Sequence, residues 1–185
     1  LVRDVCNSRA YQLSTRTNPS NEDDLRNFAR AQLRRMRAEV LLDVISQVTQ
    51  TKNKFQGLPL GARALQIADG RFSNYFLTTF GRATRETVCS CEVVMEPNMS
   101  QALHLLNGDV TNSRINQGKV IQTMLKDGKS PALIIDDLYL RCYSRLPRGN
   151  EKENLLASID TENPTESLTD IFWALLNSKE FIFNH

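Results

Sequence analysis

Residues 163–176 read NPTESLTDIFWALL, an Asn-Pro turn followed by Leu168, Ile171, Phe172, Leu175 and Leu176 at three- and four-residue spacing. That spacing puts five apolar side chains on one stripe of a helix, which predicts an amphipathic helix that must bury the stripe against a partner. The uninterrupted apolar run, residues 171–176, is six residues long, far short of the roughly 18 that a membrane-crossing helix needs. The last strongly patterned segment is therefore a core helix, and the question is what it packs on.

Reading backward, the same pattern recurs with punctuation between repeats. Asn150 caps a predicted helix to Ile159. Ser130-Pro131, an N-cap followed by proline at the first helical position, opens another to about Ser144, with Ile134, Ile135, Leu138 and Cys142 inward and Leu146-Pro147 as its end. Asn112 caps a third, with Ile115, Val120, Ile121, Met124 and Leu125 inward until Asp127-Gly128. A shorter one begins at Pro97 or Asn98, carries Met99, Ala102, Leu103 and Leu106 on one side, and stops at Asn107-Gly108. Short links between helices favour antiparallel neighbours in a bundle.

Further upstream, Leu25, Phe28, Ala29, Met36, Val40, Val44 and Val48 predict a long helix over 21–49. Its other faces carry Arg26, Arg30, Arg34, Arg35 and Arg37. Such a row reads as a solvated or salt-bridged face, with an anion or glycan site as the functional alternative. Residues 1–15 read as helical and open on Leu1, Val2 and Val5 as though already inside a helix, so the chain is expected to be the C-terminal part of a longer one. Over residues 52–96 the helical period is lost and Gly57, Pro59, Gly61, Gly70 and Gly81 punctuate an irregular insertion. Within it, 74–80 predicts a short buried helical turn and 87–95 a short strand, for which 64–68 is the candidate partner. The fold class is a mainly α helical bundle, one domain over 1–185, with an irregular central insertion containing a short extended segment.

Composition agrees with a folded domain of ordinary size: 185 residues, 41% hydrophobic and 24% charged, outside the range of disordered and low-complexity chains. A net charge of +2 gives no electrostatic footprint for nucleic acid or an anionic membrane surface. Four cysteines, Cys6, Cys89, Cys91 and Cys142, leave the redox compartment undecided.

Motifs of common catalytic classes are missing. Gly128-Lys129-Ser130 ends like a phosphate loop, but the glycine required five residues earlier is Thr123, and Pro131 removes a backbone donor. Dinucleotide, nucleophile-elbow and zinc-protease signatures do not occur. Asn98-Met99-Ser100 matches a glycosylation acceptor, a three-residue pattern of low specificity. Asp136 and Asp137 lie about 100° apart on a helix, and Arg141 is placed to pair with Asp137. The densest local feature is Cys89-Ser90-Cys91-Glu92: in an extended segment both sulfurs project from one face. They are candidate zinc ligands with His104, a reducible disulfide, or small buried hydrophobes.

Ser8 to Ser14, Arg34 to Asp43, Leu58 to Ala64, Thr79 to Arg82, Arg85 to Glu92, Met95 to Pro97, Ser100 to Asp109 and Asp170 to His185 together resemble the C-terminal module called domain of unknown function 1553, found in large planctomycete-type bacterial proteins. The resemblance implies an exported protein, in the periplasm or at the cell surface, with companion domains that often include a cytochrome c-like one. It implies no activity. Arg82, Arg85, Glu86, Cys89, Cys91, Glu92, Glu96, His104, Asn107 and Asp109 fall in its characteristic blocks. Arg82, Arg85, Glu86, Glu92, Glu96, Asn107 and Asp109 are thereby candidate binding residues, and Cys89, Cys91 and His104 candidate metal or redox residues.

Two functions are compatible with this reading. One is a non-catalytic helical scaffold or binding module, without a cofactor of its own, whose partners are other domains of the full-length chain or a polymer or glycan. The other is an enzyme domain acting on an extracellular polymer or in cytochrome-linked redox chemistry, centred on Cys89 and Cys91.

Overall fold

The computed structural model describes residues 1–24, 26–87, 93, 98–107 and 109–184, the side chains of residues 104, 106, 107, 109 and 184 excepted. It is mainly helical. In chain order the elements are α1 (Val2–Cys6), β1 (Arg34–Arg35), α2 (Ala38–Val48), a 3-10 turn (Ala64–Gln66), α3 (Tyr75–Thr79), α4 (Met99–Asn107), α5 (Asp109–Gly118), α6 (Val120–Lys126), α7 (Pro131–Tyr143), α8 (Gly149–Ala157), α9 (Pro164–Leu176), α10 (Lys179–Ile182) and β2 (Phe183–Asn184). No helix among the described residues is long and apolar enough to cross a membrane.

Helix α9 is the hub. Its five expected core residues are all buried, each such side chain contributing about 1.5–3 kcal/mol. Around it pack α5, α6, α7 and α10. Helix α7 starts as the Ser-Pro pair predicts and presents Ile134, Ile135 and Leu138 inward. Helix α2 adds Leu41, Leu42, Ile45 and Val48, and the irregular stretch after it contributes Phe55, Ala64 and Ile67 to the same core. The short helical turn expected over 74–80 is α3, capped by Asn74, whose Oδ1 accepts from the Leu77 N–H at 3.2 Å.

Three expectations require correction. The long helix over 21–49 exists only as α2. Upstream of it the Asp24 carboxylate accepts from the backbone N–H groups of Arg26, Asn27 and Ala29 at 2.7–3.0 Å, a side-chain alternative to the helical ladder. Residues 34–35 are instead drawn into an antiparallel pair with the C-terminus, Arg34 opposite Asn184 and Arg35 opposite Phe183. Helix over 1–15 is limited to α1, which buries no residue; so short a helix needs tertiary packing to extend. Residues 64–66, offered as a strand partner, form the 3-10 turn, while most of the expected strand over 87–95 lies outside the described residues.

Helix α4 begins where Asn98 caps it, its Oδ1 accepting from the Gln101 N–H at 2.9 Å, but it is rotated from the expected face. Met99 and Leu103 are exposed, whereas Gln101 and Leu105 are buried. Gln101 Nε2 donates to the Thr79 carbonyl at 3.1 Å, tying the helix to α3. Asn112, expected as a cap, lies inside α5, and the helix expected to continue to residue 127 breaks at Lys119, whose φ is 50°. One residue earlier, Gly118 lies so close to the end of α2 that an added Cβ would be 1.7 Å from the Thr49 carbonyl oxygen.

Candidate functional site

Arg82, expected as a binding residue, is buried and faces inward. Its Nη2 donates to the carbonyls of Ile67 and Asp69 at 3.1 Å each, and Nη1 to Phe72 at 3.4 Å. Nε lies 3.3 Å from Glu39 Oε1, an ion pair without hydrogen-bond alignment. The guanidinium thus clamps the loop over 67–72 onto α2. Arg85, exposed and with φ 58°, donates to the Ala68 carbonyl at 3.1 Å, so the structure brings Arg82 and Arg85 to one loop. Glu86 is exposed. Asn107, Asp109 and His104 occupy positions in α4 and α5, with side chains outside those described. Cys89, Cys91, Glu92 and Glu96, and with them the zinc and redox readings, lie outside the described residues. Among the described residues no group of three His, Cys, Asp or Glu side chains is placed to hold a metal ion.

Two further arginines show how the body uses charge. Arg114 on α5 donates to Ser46 Oγ at 2.5 Å, to Thr51 Oγ1 at 3.2 Å and to Asn53 Oδ1 at 2.7 Å. Asn53 Nδ2 in turn reaches Asp43 Oδ1 at 3.3 Å, and that carboxylate accepts the N–H of Ala64. Burial lowers the Arg114 pKa, opposed by the nearby Asp43 charge. The network stitches α5, α2 and the loop over 51–65 beside a groove of about 270 Å³. Arg145, after α7, has all five N–H groups engaged: two with Glu180, two with Glu151 and one with the Leu146 carbonyl, at 2.6–3.1 Å. Its guanidinium carbon lies 5.3 and 5.4 Å from the ring centroids of Tyr139 and Tyr143. These bonds hold Glu151 at about 2, well below its ordinary value, and raise Arg145. Groups so engaged brace the fold.

Residues 1–37 are rich in arginine. Eight of the chain's arginines and none of its lysines lie there, against four acidic residues. Among the described residues no carboxylate pairs with Arg3, Arg9, Arg16, Arg26, Arg34 or Arg37. The same stretch exposes Val2, Tyr11, Phe28 and Leu33. Two irregular segments, residues 10–15 and 28–34, are joined by the Ala31 N–H donating to the Ser14 carbonyl at 3.1 Å. They wall a groove of about 650 Å³ whose lining includes Tyr11, Leu13, Phe28, Arg30, Arg34 and Phe183. The sequence signal for this groove was the arginine row. A helical assignment placed those arginines on a solvated face, and nothing local reveals that residues 10–15 return beside 28–34.

A family model described as "PSD1: Protein of unknown function (DUF1553)" matches residues 1–159. No curated protein and no solved structure matches the chain.

Proposed function

The chain belongs to the DUF1553 family of proteins of unknown function, and within that family we propose that it is a non-catalytic helical interaction module. Its packed body, residues 38–182, presents the N-terminal face to another part of the protein or to a macromolecular partner. The observation that carries this reading is the division of labour among arginines. Arg82, Arg114 and Arg145 are bonded within the body, whereas Arg30 and Arg34 line one groove with exposed Tyr11 and Phe28. Tyr and Arg, with Trp, are the side chains enriched at the energetic centres of protein interfaces. The setting we propose, following the family resemblance, is an exported protein with companion domains; the reading itself requires no metal or cofactor.

Cys6 tests it. The thiol is exposed, and its residue's carbonyl accepts from Gln12 Nε2 at 3.2 Å, next to Tyr11. In the isolated 185-residue chain Cys6 is expected to react with a maleimide as fast as a small-molecule thiol. In the native assembly purified from cells the reaction is expected to slow at least tenfold, because the partner covers this face. Equal rates in the two preparations would overturn the reading.

A further inference from the structure

We infer that the groove between residues 10–15 and 28–34 binds a short, extended, acidic peptide segment that also carries apolar side chains. The inference rests on the interaction-module reading and names the chemistry of its partner. Three observations converge. First, the lining includes Arg30 and Arg34 and no acidic residue, so the charge complement is a carboxylate, which arginine binds in a planar, two-pronged geometry. Arg30 is already oriented, its Nε and Nη2 donating to the carbonyls of Asn21 and Glu22 at 3.2 and 3.3 Å.

Second, Phe28 is held outward at a cost. Its φ is 55°, an outlier for a bulky residue, and it is 77% exposed. The loop forces this conformation by wrapping the Asp24 carboxylate with the N–H groups of Arg26, Asn27 and Ala29, which also lowers the Asp24 pKa. Backbone strain that displays an aromatic ring to solvent at the lip of a groove is the kind that persists at binding sites. Third, the groove is half apolar in character, with Leu13, Ala31 and Phe183 beside the arginines, and its size falls in the roughly 300–1,000 Å³ of ligand clefts. A uronic acid polymer would satisfy the arginines but would set its hydroxyls against these apolar walls. An acidic peptide with leucine or phenylalanine at alternate positions satisfies both.

The probe is a fluorescein-labelled synthetic peptide alternating Glu with Leu and Phe, titrated with the 185-residue chain and followed by anisotropy. Saturable binding that weakens as salt rises is expected, with at least tenfold weaker binding for Arg34→Gln. The deciding variant is Phe28→Gly. Glycine accepts the left-handed backbone without strain, so its melting temperature should equal or exceed that of the unaltered chain while peptide affinity falls at least tenfold. Unchanged affinity in Phe28→Gly, or no binding of the peptide at 1 mM, overturns the inference. Binding of alginate in place of the peptide overturns it too. If Cys6 is nonetheless shielded in the native assembly, the interaction-module reading survives that failure.

Discussion

Replacing Gly118 by alanine should be among the most damaging single-methyl additions available to this fold. The added Cβ would lie 1.7 Å from the Thr49 carbonyl oxygen and 2.9 Å from its carbon, where real Cβ atoms essentially never approach within 3.0 Å. The C-terminal end of α5 and the end of α2 must then part by the difference between 3.0 and 1.7 Å, about 1.3 Å. Both sides are backbone, so no side chain can swing away. A gap of about 0.5–1 Å already forfeits a quarter to a half of each dispersion contact, and the joint is flanked by buried Val48, Thr49, Ile115 and Val120. The bonds of Arg114 to Ser46 and Thr51 cross the same joint, each with a net worth of about 1 kcal/mol. Overpacking of about 1–3 kcal/mol plus these bonds gives a loss of about 3–5 kcal/mol. That is a large share of the roughly 5–15 kcal/mol that folds a domain. Urea unfolding followed by far-UV circular dichroism and by the fluorescence of Trp173 measures it. Two glycines serve as controls: Gly149, at the start of α8, has nothing within 4 Å of the built Cβ, and Gly128 is equally open but has φ 76°. Gly149→Ala should gain about 0.4–1 kcal/mol, and Gly128→Ala should lose about 1–2 kcal/mol through conformation alone. A loss below about 1 kcal/mol for Gly118→Ala would refute the steric argument.

Three other predictions concern the core, the charge clamp and the thiols. Leu175→Ala should cost about 2–5 kcal/mol, since the side chain is buried in α9, and a loss below about 0.5 kcal/mol in the same urea assay would place it on the surface. Glu151, lowered from 4.5 to about 2 chiefly by Arg145, stabilises the fold above the ordinary value, and that stability drains away as pH falls from about 5 through 2. The depression converts to about 3 kcal/mol if fully realised, but with the side chain 29% exposed screening leaves about 1–2 kcal/mol. Glu151→Gln should therefore lower the urea midpoint at pH 7 and flatten its pH dependence below 5; parallel profiles would refute the assignment. Cys142, its thiol pushed up to about 12 mainly by burial, should label only on unfolding while Cys6 labels at once, as peptide mapping after alkylation will show.

Helices α7 and α9 were legible because each has local punctuation and a stripe wide enough to bury. Ser130-Pro131 and Asn163-Pro164 mark starts that neighbours in sequence fully determine. Where the reading failed, a distant group decided. The spacing of Leu25, Phe28, Ala29 and Met36 fits a helix, yet Asp24 ties up three N–H groups of the first turn. Arg35 also finds the Phe80 carbonyl at 3.0 Å and that residue's ring at 5.3 Å. Helix α4 turned its face because Gln101 reaches Thr79, a contact that hydrophobic periodicity does not encode. Of the candidate site residues, Arg82 illustrates the same lesson: a family block can mark an architectural clamp as readily as a binding group. The N-terminal groove escaped notice because its two walls meet through a backbone bond, Ala31 to Ser14, that no side-chain pattern encodes.

The pairing of β1 with β2 gives the molecule a timetable. Arg35 lies opposite Phe183, and Phe183 also lines the N-terminal groove, so one lining residue of that groove is synthesised long after Arg35. At the roughly 5–20 residues per second of synthesis, an interval of about 7–30 s separates the appearance of Arg35 from that of its partner. Throughout that interval the pairing of β1 with β2 cannot form, and the groove lacks this side chain. The proposed recognition surface is thereby completed only after helices α2 to α10 have been made.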